Sequence, residues 1–296
     1  MRPRIAHGLV SLLLLSACGT SAASGATIVV PPPATPRAEP SPLNQASINA
    51  KHIHALTTRD RGLRLLVATH RGLVAAVPGG AAPRPLGAPS MAGDVLSLFY
   101  APDGALYAAG HNLGVRVSHD DGASWSETSP DLAGADVHGL AADPSHSGQM
   151  YAYAVGKGLM VTTDSGAHWT HRPGQADTNY ITGLAVTADG TLLAGTPGLG
   201  VAASTDHGVS YVTIRDKTGP VYAIAASATD ANIVLVAAEN GIFLTGDGGK
   251  TWNEGAPNVA VTGVAIDRDD SHRFYAGGAD GSIAVSTDAG ISFKTY

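Results

Sequence analysis

The sequence predicts an all-β protein, a β-propeller of six four-stranded blades. One eight-residue motif, Ser/Thr-x-Asp-x-Gly-x-x-aromatic, recurs five times. Its aspartates follow one another at steps of 44, 42, 41 and 41 residues, at Asp120, Asp164, Asp206, Asp247 and Asp288. A fixed period of this length indicates one supersecondary unit repeated in space. The composition agrees, since 37 Gly, 18 Pro and only 14% charged residues favour short strands and tight turns over long helices.

Each repeat has room for four strands. In the repeat around Asp164, alternating or small apolar stretches at 137–142, 150–155 and 158–162 are separated by turn residues, and the motif then leads into a fourth strand. Four antiparallel strands in about 42 residues are typical of a propeller blade. An earlier unit repeats the first three strands at 52–57, 65–69 and 72–77. The sequence therefore predicts six blades within residues 49–296, with seven as the alternative.

The first residues predict a secretory signal peptide at 1–17. Arg2 and Arg4 precede a short apolar run, residues 9–15, which is well below the roughly 20 residues of a membrane span. The run ends in Leu15-Ser16-Ala17-Cys18, which resembles a bacterial lipobox and contains the only cysteine. That resemblance implies lipidation of Cys18. We therefore expect a lipid-anchored protein of the bacterial cell envelope, facing the periplasm or the cell surface.

Residues 18–48 are expected to be a tether. The segment after Cys18 is rich in Ala, Ser, Thr and Pro, and has too little apolar surface to fold. The formal net charge of the whole chain is −6, and no block of basic residues occurs. A nucleic-acid partner is therefore not expected.

The repeated motif has a structural explanation. Its aspartate can accept hydrogen bonds from turn amides, its glycine tolerates positive φ, and its aromatic residue can pack beneath the hairpin. A single carboxylate per turn, one blade apart, does not converge on one ion. The five aspartates are therefore expected to be structural residues.

The motif resembles the Asp box of bacterial-neuraminidase-repeat (BNR) propellers. That superfamily includes sialidases, sortilin-type receptor domains and photosystem II assembly factors. The resemblance covers about residues 50–296, and HIHAL (52–56) with ATHRGL (68–73) is similar to a bacterial lipoprotein subfamily labelled sialidase-like or glycosyl hydrolase. It implies a propeller fold and makes a sialidase-like glycoside hydrolase one alternative function.

The enzyme interpretation lacks its expected residues. Sialidases of this fold hold a carboxylate with three arginines, the first within Arg-Ile-Pro, and that tripeptide is absent. The later blades contain only Arg116, Arg172, Arg215, Arg268 and Arg273. No catalytic residue can be assigned, and whether the protein is an enzyme stays open, with binding favoured.

Strand direction locates the face where a ligand is expected. In an antiparallel meander, the first strand starts at the same end as the turn between strands two and three, opposite the motif hairpins. The candidate binding face collects the polar residues at that end, namely His52, His54, His70, Arg71, His111, His138, Tyr222, Glu239 and Asp280.

Five of the twelve histidines fall on this face: His52, His54, His70, His111 and His138. Imidazole suits copper or zinc, so these five are candidate metal ligands. The alternative is that they are solvated histidines around a wet channel. The sequence thus favours a membrane-anchored module that binds a protein or glycan ligand or assists assembly. A metal-binding propeller and a sialidase-like hydrolase are the alternatives.

Overall fold

The computed structural model describes residues 52–59, 62, 64–76, 84–87, 91–198, 200–255 and 260–295. The predicted signal peptide, Cys18 and the tether lie outside these residues. Within them, no helix is long and apolar enough to cross a membrane.

The predicted six-bladed propeller is confirmed. The described residues form six four-stranded antiparallel sheets, each made of four strands consecutive in the chain. Blades 1 and 2 comprise β1 Ile53–Arg59, β2 Arg64–Thr69, β3 Gly72–Ala76, β4 Arg84–Leu86, β5 Val95–Tyr100, β6 Leu106–Gly110, β7 Gly114–Ser118 and β8 Ser126–Glu127. Blades 3 and 4 comprise β9 Val137–Ala142, β10 Met150–Ala154, β11 Gly158–Thr162, β12 Thr170–His171, β13 Gly183–Val186, β14 Leu192–Thr196, β15 Gly200–Ser204 and β16 Val212–Arg215. Blades 5 and 6 comprise β17 Val221–Ala226, β18 Val234–Ala238, β19 Gly241–Thr245, β20 Asn253–Gly255, β21 Val261–Ile266, β22 Phe274–Gly278, β23 Ile283–Ser286 and β24 Lys294–Thr295. Two short 3-10 turns, Pro130–Leu132 and Gln175–Asp177, follow the outer strands of blades 2 and 3.

The second strand of each blade is the most buried. In β6, β10, β14, β18 and β22 every residue is buried, and the sequences consist largely of Ala, Gly, Leu, Val and Tyr. Such a strand lies inside its sheet and is covered on both faces by neighbouring blades, so nearly all of its residues are apolar. Small residues let the sheets approach closely, which explains how 5% aromatic residues suffice.

The hydrophobic core is a ring of six interfaces. Six clusters of buried side chains occur in the described residues, and each joins two adjacent blades. Each motif aromatic packs in a different one of five clusters. Trp125 lies at the interface of blades 1 and 2, and Phe293 at the interface of blades 5 and 6. Stability therefore comes from contacts between sheets.

The ring closes where blade 6 meets blade 1, and no strand is exchanged between them. Ile53 packs there with Tyr275 and Ile283. Thr262 Oγ1 donates a hydrogen bond of 2.6 Å to the carbonyl of Ile53. A Cβ on Gly277 would lie 2.5 Å from Ile53 Cγ2, so glycine is required for this approach.

The first strands of all six blades surround a central channel. The cavity has a volume of about 500 Å³, and apolar residues such as Leu98, Leu140 and Ile224 line its middle. At the end away from the first-strand starts, Arg268 reaches from blade 6 to blade 2 and donates hydrogen bonds to the carbonyls of Ala101 and Pro102, at 3.3 and 3.1 Å.

Candidate functional site

Strand pairing brings polar residues of blades 1–3 together at one end of the channel. Ile53 pairs with Thr69, which places His54 near His70 in the β2–β3 turn. In blade 2 the main-chain N–H of His111 donates to the carbonyl of Asp94, at 3.1 Å. We call this set, His52, His54, His70, Asp94, His111, Asp136 and His138, the histidine face.

Three of these side chains form a first triad of His54, His70 and Asp94. His54 Nε2 lies 3.2 Å from His70 Nδ1 and 3.2 Å from Asp94 Oδ1. His70 Nδ1 lies 2.7 Å from the same carboxylate oxygen. Three potential metal-ligand atoms from two blades thus lie within 3.2 Å of one another, and the two imidazoles are hydrogen-bonded to each other.

Asp94 Oδ1 is a buried oxygen with no hydrogen bond in the part of the chain that the structure describes, although two imidazole nitrogens lie within 3.2 Å of it. Burying a carboxylate oxygen without a donor is costly. Both nitrogens lie close enough to Asp94 for an ion pair. A cation among the three atoms would give this oxygen a partner.

His111, Asp136 and His138 form a second triad. His111 Nδ1 lies 2.7 Å from Asp136 Oδ1, and His138 Nε2 lies 3.1 Å from the same oxygen. The potential ligand atoms of each triad all lie within 4.8 Å of one another. Both triads therefore repeat one pattern, two imidazoles around one carboxylate oxygen.

The two triads are in contact. Asp94 Oδ2 lies 3.5 Å from His111 Nε2, so each carboxylate oxygen of Asp94 faces a different triad. The rings of His111 and His138 pack edge to face at 4.9 Å. The polar groups thus run continuously from His54 in blade 1 to His138 in blade 3.

Burial disfavours the charged form of two of the imidazoles. Desolvation lowers the pKa of His54 to about 4, with Asp94 opposing the shift and His70 adding to it. Desolvation also lowers the pKa of His138, against the opposing effect of Asp136. A neutral imidazole retains the nitrogen lone pair that a metal ion requires.

The other candidates for the binding face occupy the same end without joining a triad. His52 has a positive φ of 65°, and its ring packs edge to face against His70 at 5.2 Å. Tyr222 is exposed and lines the channel. Arg71, Glu239 and Asp280 are exposed turn residues, and Asp280 accepts hydrogen bonds from Ser282.

The sequence reasoning missed Asp94, Asp136 and Tyr180. Each aspartate immediately precedes the first strand of its blade, in Asp94-Val95 and Asp136-Val137, and this shared position was the available signal. Tyr180 Oη lies 2.7 Å from His138 Nδ1, a contact between blades that sequence spacing does not reveal.

The five motif aspartates are bonded within their own hairpins at the opposite end. In every copy the Ser or Thr hydroxyl donates to the aspartate at 2.7–2.8 Å. The same hydroxyl accepts from the motif glycine N–H at 2.8–3.1 Å. The amide four residues after the aspartate donates to it at 2.8–3.0 Å. These bonds hold the pKa of each aspartate below its usual value, to about 2 for Asp120, Asp247 and Asp288.

The first triad has the dimensions of a metal site. Ligands held at 2.0–2.1 Å around a tetrahedral ion lie about 3.4 Å apart. The three separations in this triad are 3.2, 3.2 and 2.7 Å. A small outward shift of the side chains, largest for His70 and Asp94, would therefore accommodate an ion.

Comparison with known proteins identifies the fold alone. No family model and no curated protein sequence matches the chain. Among solved structures, the Niastella koreensis GH74 enzyme matches with a TM-score of 0.56 at 14% identity over 82% of this chain and 46% of its own. PorZ, a bacterial surface component of the type-IX secretion system of Porphyromonas gingivalis, matches with a TM-score of 0.57 at 13% identity over 84% and 39%. YCF48 bound to D1 peptide matches with a TM-score of 0.54 at 16% identity over 79% and 77%. The chain spans less than half the length of the first two, and the shared property is the β-propeller.

Proposed function

We propose that the protein is a binding propeller of the bacterial cell envelope whose ligand at the histidine face is a transition-metal ion, zinc or copper, held by His54, His70 and Asp94. One observation supports this above the others. Among the described residues the buried Oδ1 of Asp94 has no hydrogen-bond partner, yet two imidazole nitrogens lie 2.7 and 3.2 Å from it. An ion bound by all three atoms would give this oxygen a partner.

The ligand set favours zinc or copper. Two imidazoles with one carboxylate suit first-row transition metals, whereas Ca²⁺ and Mg²⁺ require mostly oxygen ligands. Three protein ligands leave a coordination position free for water or for a further ligand. That position is the point at which a protein or glycan partner would contact the ion.

The proposed location rests on the sequence and receives limited support from the fold. The lipobox-like Leu15-Ser16-Ala17-Cys18 supports lipidation at Cys18. PorZ, which shares the fold, is a bacterial surface component. A membrane anchor of this kind would hold the propeller outside the cytoplasm.

A glycoside hydrolase activity is not proposed. Four of the five arginines in blades 2–6 contact neighbours in separate places. Arg116 pairs with Glu127, Arg215 with Glu254, Arg268 with two carbonyls of blade 2, and Arg273 with Asp270. The similarity to the GH74 enzyme is a similarity of fold at 14% identity.

Metal titration of the mature protein, purified without a histidine tag and treated with chelator, tests the proposal. We expect Zn²⁺ or Cu²⁺ to bind, and His54→Ala to weaken binding at the first triad at least 100-fold. His272→Ala is the matched control, because His272 is an exposed histidine outside the histidine face. Absence of binding in the native protein, or equal affinity in the His54→Ala and His272→Ala variants, would overturn it.

A further inference from the structure

We propose that His111, Asp136 and His138 form a second metal site, and that Asp94 links it to the first. This inference rests on the proposed function, since it assumes an ion at His54, His70 and Asp94. In this arrangement Asp94 Oδ1 is a ligand of the first ion, while Asp94 Oδ2 orients His111 as a ligand of the second.

The second triad has the same composition and similar oxygen–nitrogen distances as the first, but Asp136 Oδ1 is hydrogen-bonded to His111 Nδ1, whereas Asp94 Oδ1 has no hydrogen bond among the described residues. Two imidazole nitrogens lie 2.7 and 3.1 Å from Asp136 Oδ1, compared with 2.7 and 3.2 Å around Asp94 Oδ1. The triads lie at the interfaces of successive blades and are equivalent in two of their three residues, whereas His54 belongs to the blade before that of Asp94 and His138 to the same blade as Asp136. In each, the aspartate precedes a first strand and one histidine comes from the β2–β3 or β6–β7 turn of the preceding blade.

His111 is positioned to connect the sites because both of its ring nitrogens face a carboxylate. Nδ1 is hydrogen-bonded to Asp136 Oδ1 at 2.7 Å and is the donor there, because a carboxylate only accepts, while Nε2 lies 3.5 Å from Asp94 Oδ2. An ion bound at Nδ1 would select the other tautomer, in which the proton lies on Nε2 facing Asp94 Oδ2. A metal-binding histidine commonly has its other nitrogen fixed by a carboxylate in this way.

His138 has its own orienting partner. Its Nδ1 lies 2.7 Å from Tyr180 Oη, while its Nε2 faces Asp136. Donation from Nδ1–H to the phenol oxygen would leave the Nε2 lone pair for the ion. Tyr180 is therefore a positioning residue of the second site alone.

Stoichiometry tests the second site. The chelator-treated native protein is loaded with Zn²⁺, dialysed and analysed for bound zinc, and we expect two ions per chain. The His54→Ala and His138→Ala variants should each retain one. A single ion in the native protein that is lost in the His54→Ala variant would overturn the second site and leave the proposed function standing. No ion at all would overturn the proposed function itself.

The link is tested by comparing two variants that both lose the first site. Zinc affinity is measured by competition with a chromophoric chelator. We expect the ion remaining in Asp94→Ala to bind 10–100-fold more weakly than the ion remaining in His54→Ala, because only Asp94→Ala removes the partner of His111. Equal affinities would overturn the link.

Two further variants guard against misfolding. Asp94→Asn preserves side-chain size and should weaken the second ion less than Asp94→Ala does. Tyr180→Phe should weaken the second ion and leave the first unchanged. Cooperative thermal unfolding in chelator shows that each variant is folded. Equal weakening of both ions by Tyr180→Phe would contradict its assignment to one site.

Discussion

The motif end and the histidine face differ in how closely the blades repeat one another. At the motif end, five hairpins contain the same three hydrogen bonds with lengths that agree within 0.3 Å, from 2.8 to 3.1 Å in the most variable set. At the histidine face, only blades 1–3 contribute to the triads. A feature repeated in almost every blade serves the fold. Residues that break the repeat pattern in neighbouring blades only, as the triads do, indicate a ligand site.

The state of the carboxylates differs in the same way. Each motif aspartate accepts several hydrogen bonds inside its hairpin. Asp94, in contrast, buries an oxygen that has two imidazole neighbours and no hydrogen bond to any described residue. We therefore expect changes at the motif end to alter stability, and changes at the histidine face to alter metal binding.

The largest expected effect is a loss of folding stability in acid, caused by protonation of the motif aspartates. The folded state lowers the pKa of Asp120, Asp247 and Asp288 to about 2 from a usual 3.8. Their contribution to stability is complete above the unfolded value and is lost as the pH falls through the folded value. The metal-free protein should therefore lose stability between about pH 4 and pH 2. Denaturant unfolding at several pH values measures this, with Asp120→Asn as the control that still accepts a hydrogen bond but does not titrate. If stability fell equally steeply with pH in the Asp120→Asn variant, the loss would have to come from groups other than Asp120.

The fold could be predicted from the sequence because its signal is local and repeated. The motif and its period identified the blades, and strand direction placed the five histidines at one end. Asp94 and Asp136 escaped notice because one residue before a strand has no distinctive pattern. Their importance depends on pairing between strands and packing between blades. The motif sequence predicted positive φ at its glycine only. The residue before the glycine also has positive φ, as at Ser165 and Ala289.

A substitution in one hairpin should lower stability without affecting metal. Thr245 is fully buried, donates to Asp247 and accepts from the N–H of Gly249. Thr245→Val keeps the shape and leaves that N–H without its acceptor, at a cost of about 1–3 kcal/mol. Chemical denaturation measures the loss, and zinc affinity should stay within about twofold of the native value. Weakened zinc binding in the folded variant would show that the two ends are coupled.

The smallest expected effect is a gain in stability. Ala289 occupies the left-handed region at φ 58°, where the equivalent residue in blade 5 is Gly248 at φ 73°. Relief of this strain exceeds the added flexibility of the unfolded chain, so Ala289→Gly should raise the free energy of unfolding by up to about 1 kcal/mol. Ala284→Gly, in the strand β23 of the same blade, should instead lower it by about 0.5–1 kcal/mol. Equal losses in both variants would show that the turn is unstrained.

The closure between blades 6 and 1 has a consequence for how the chain could be rearranged. Every blade is made of four consecutive strands, so no sheet combines strands from distant parts of the chain. The junction between blades 6 and 1 uses the same kind of apolar cluster as the other five. The chain could therefore be circularly permuted, so that another blade comes first while each blade keeps its two neighbours. A chain that began at blade 4 and joined blade 6 to blade 1 by a linker would contain all the same interfaces and keep blades 1–3 in sequence.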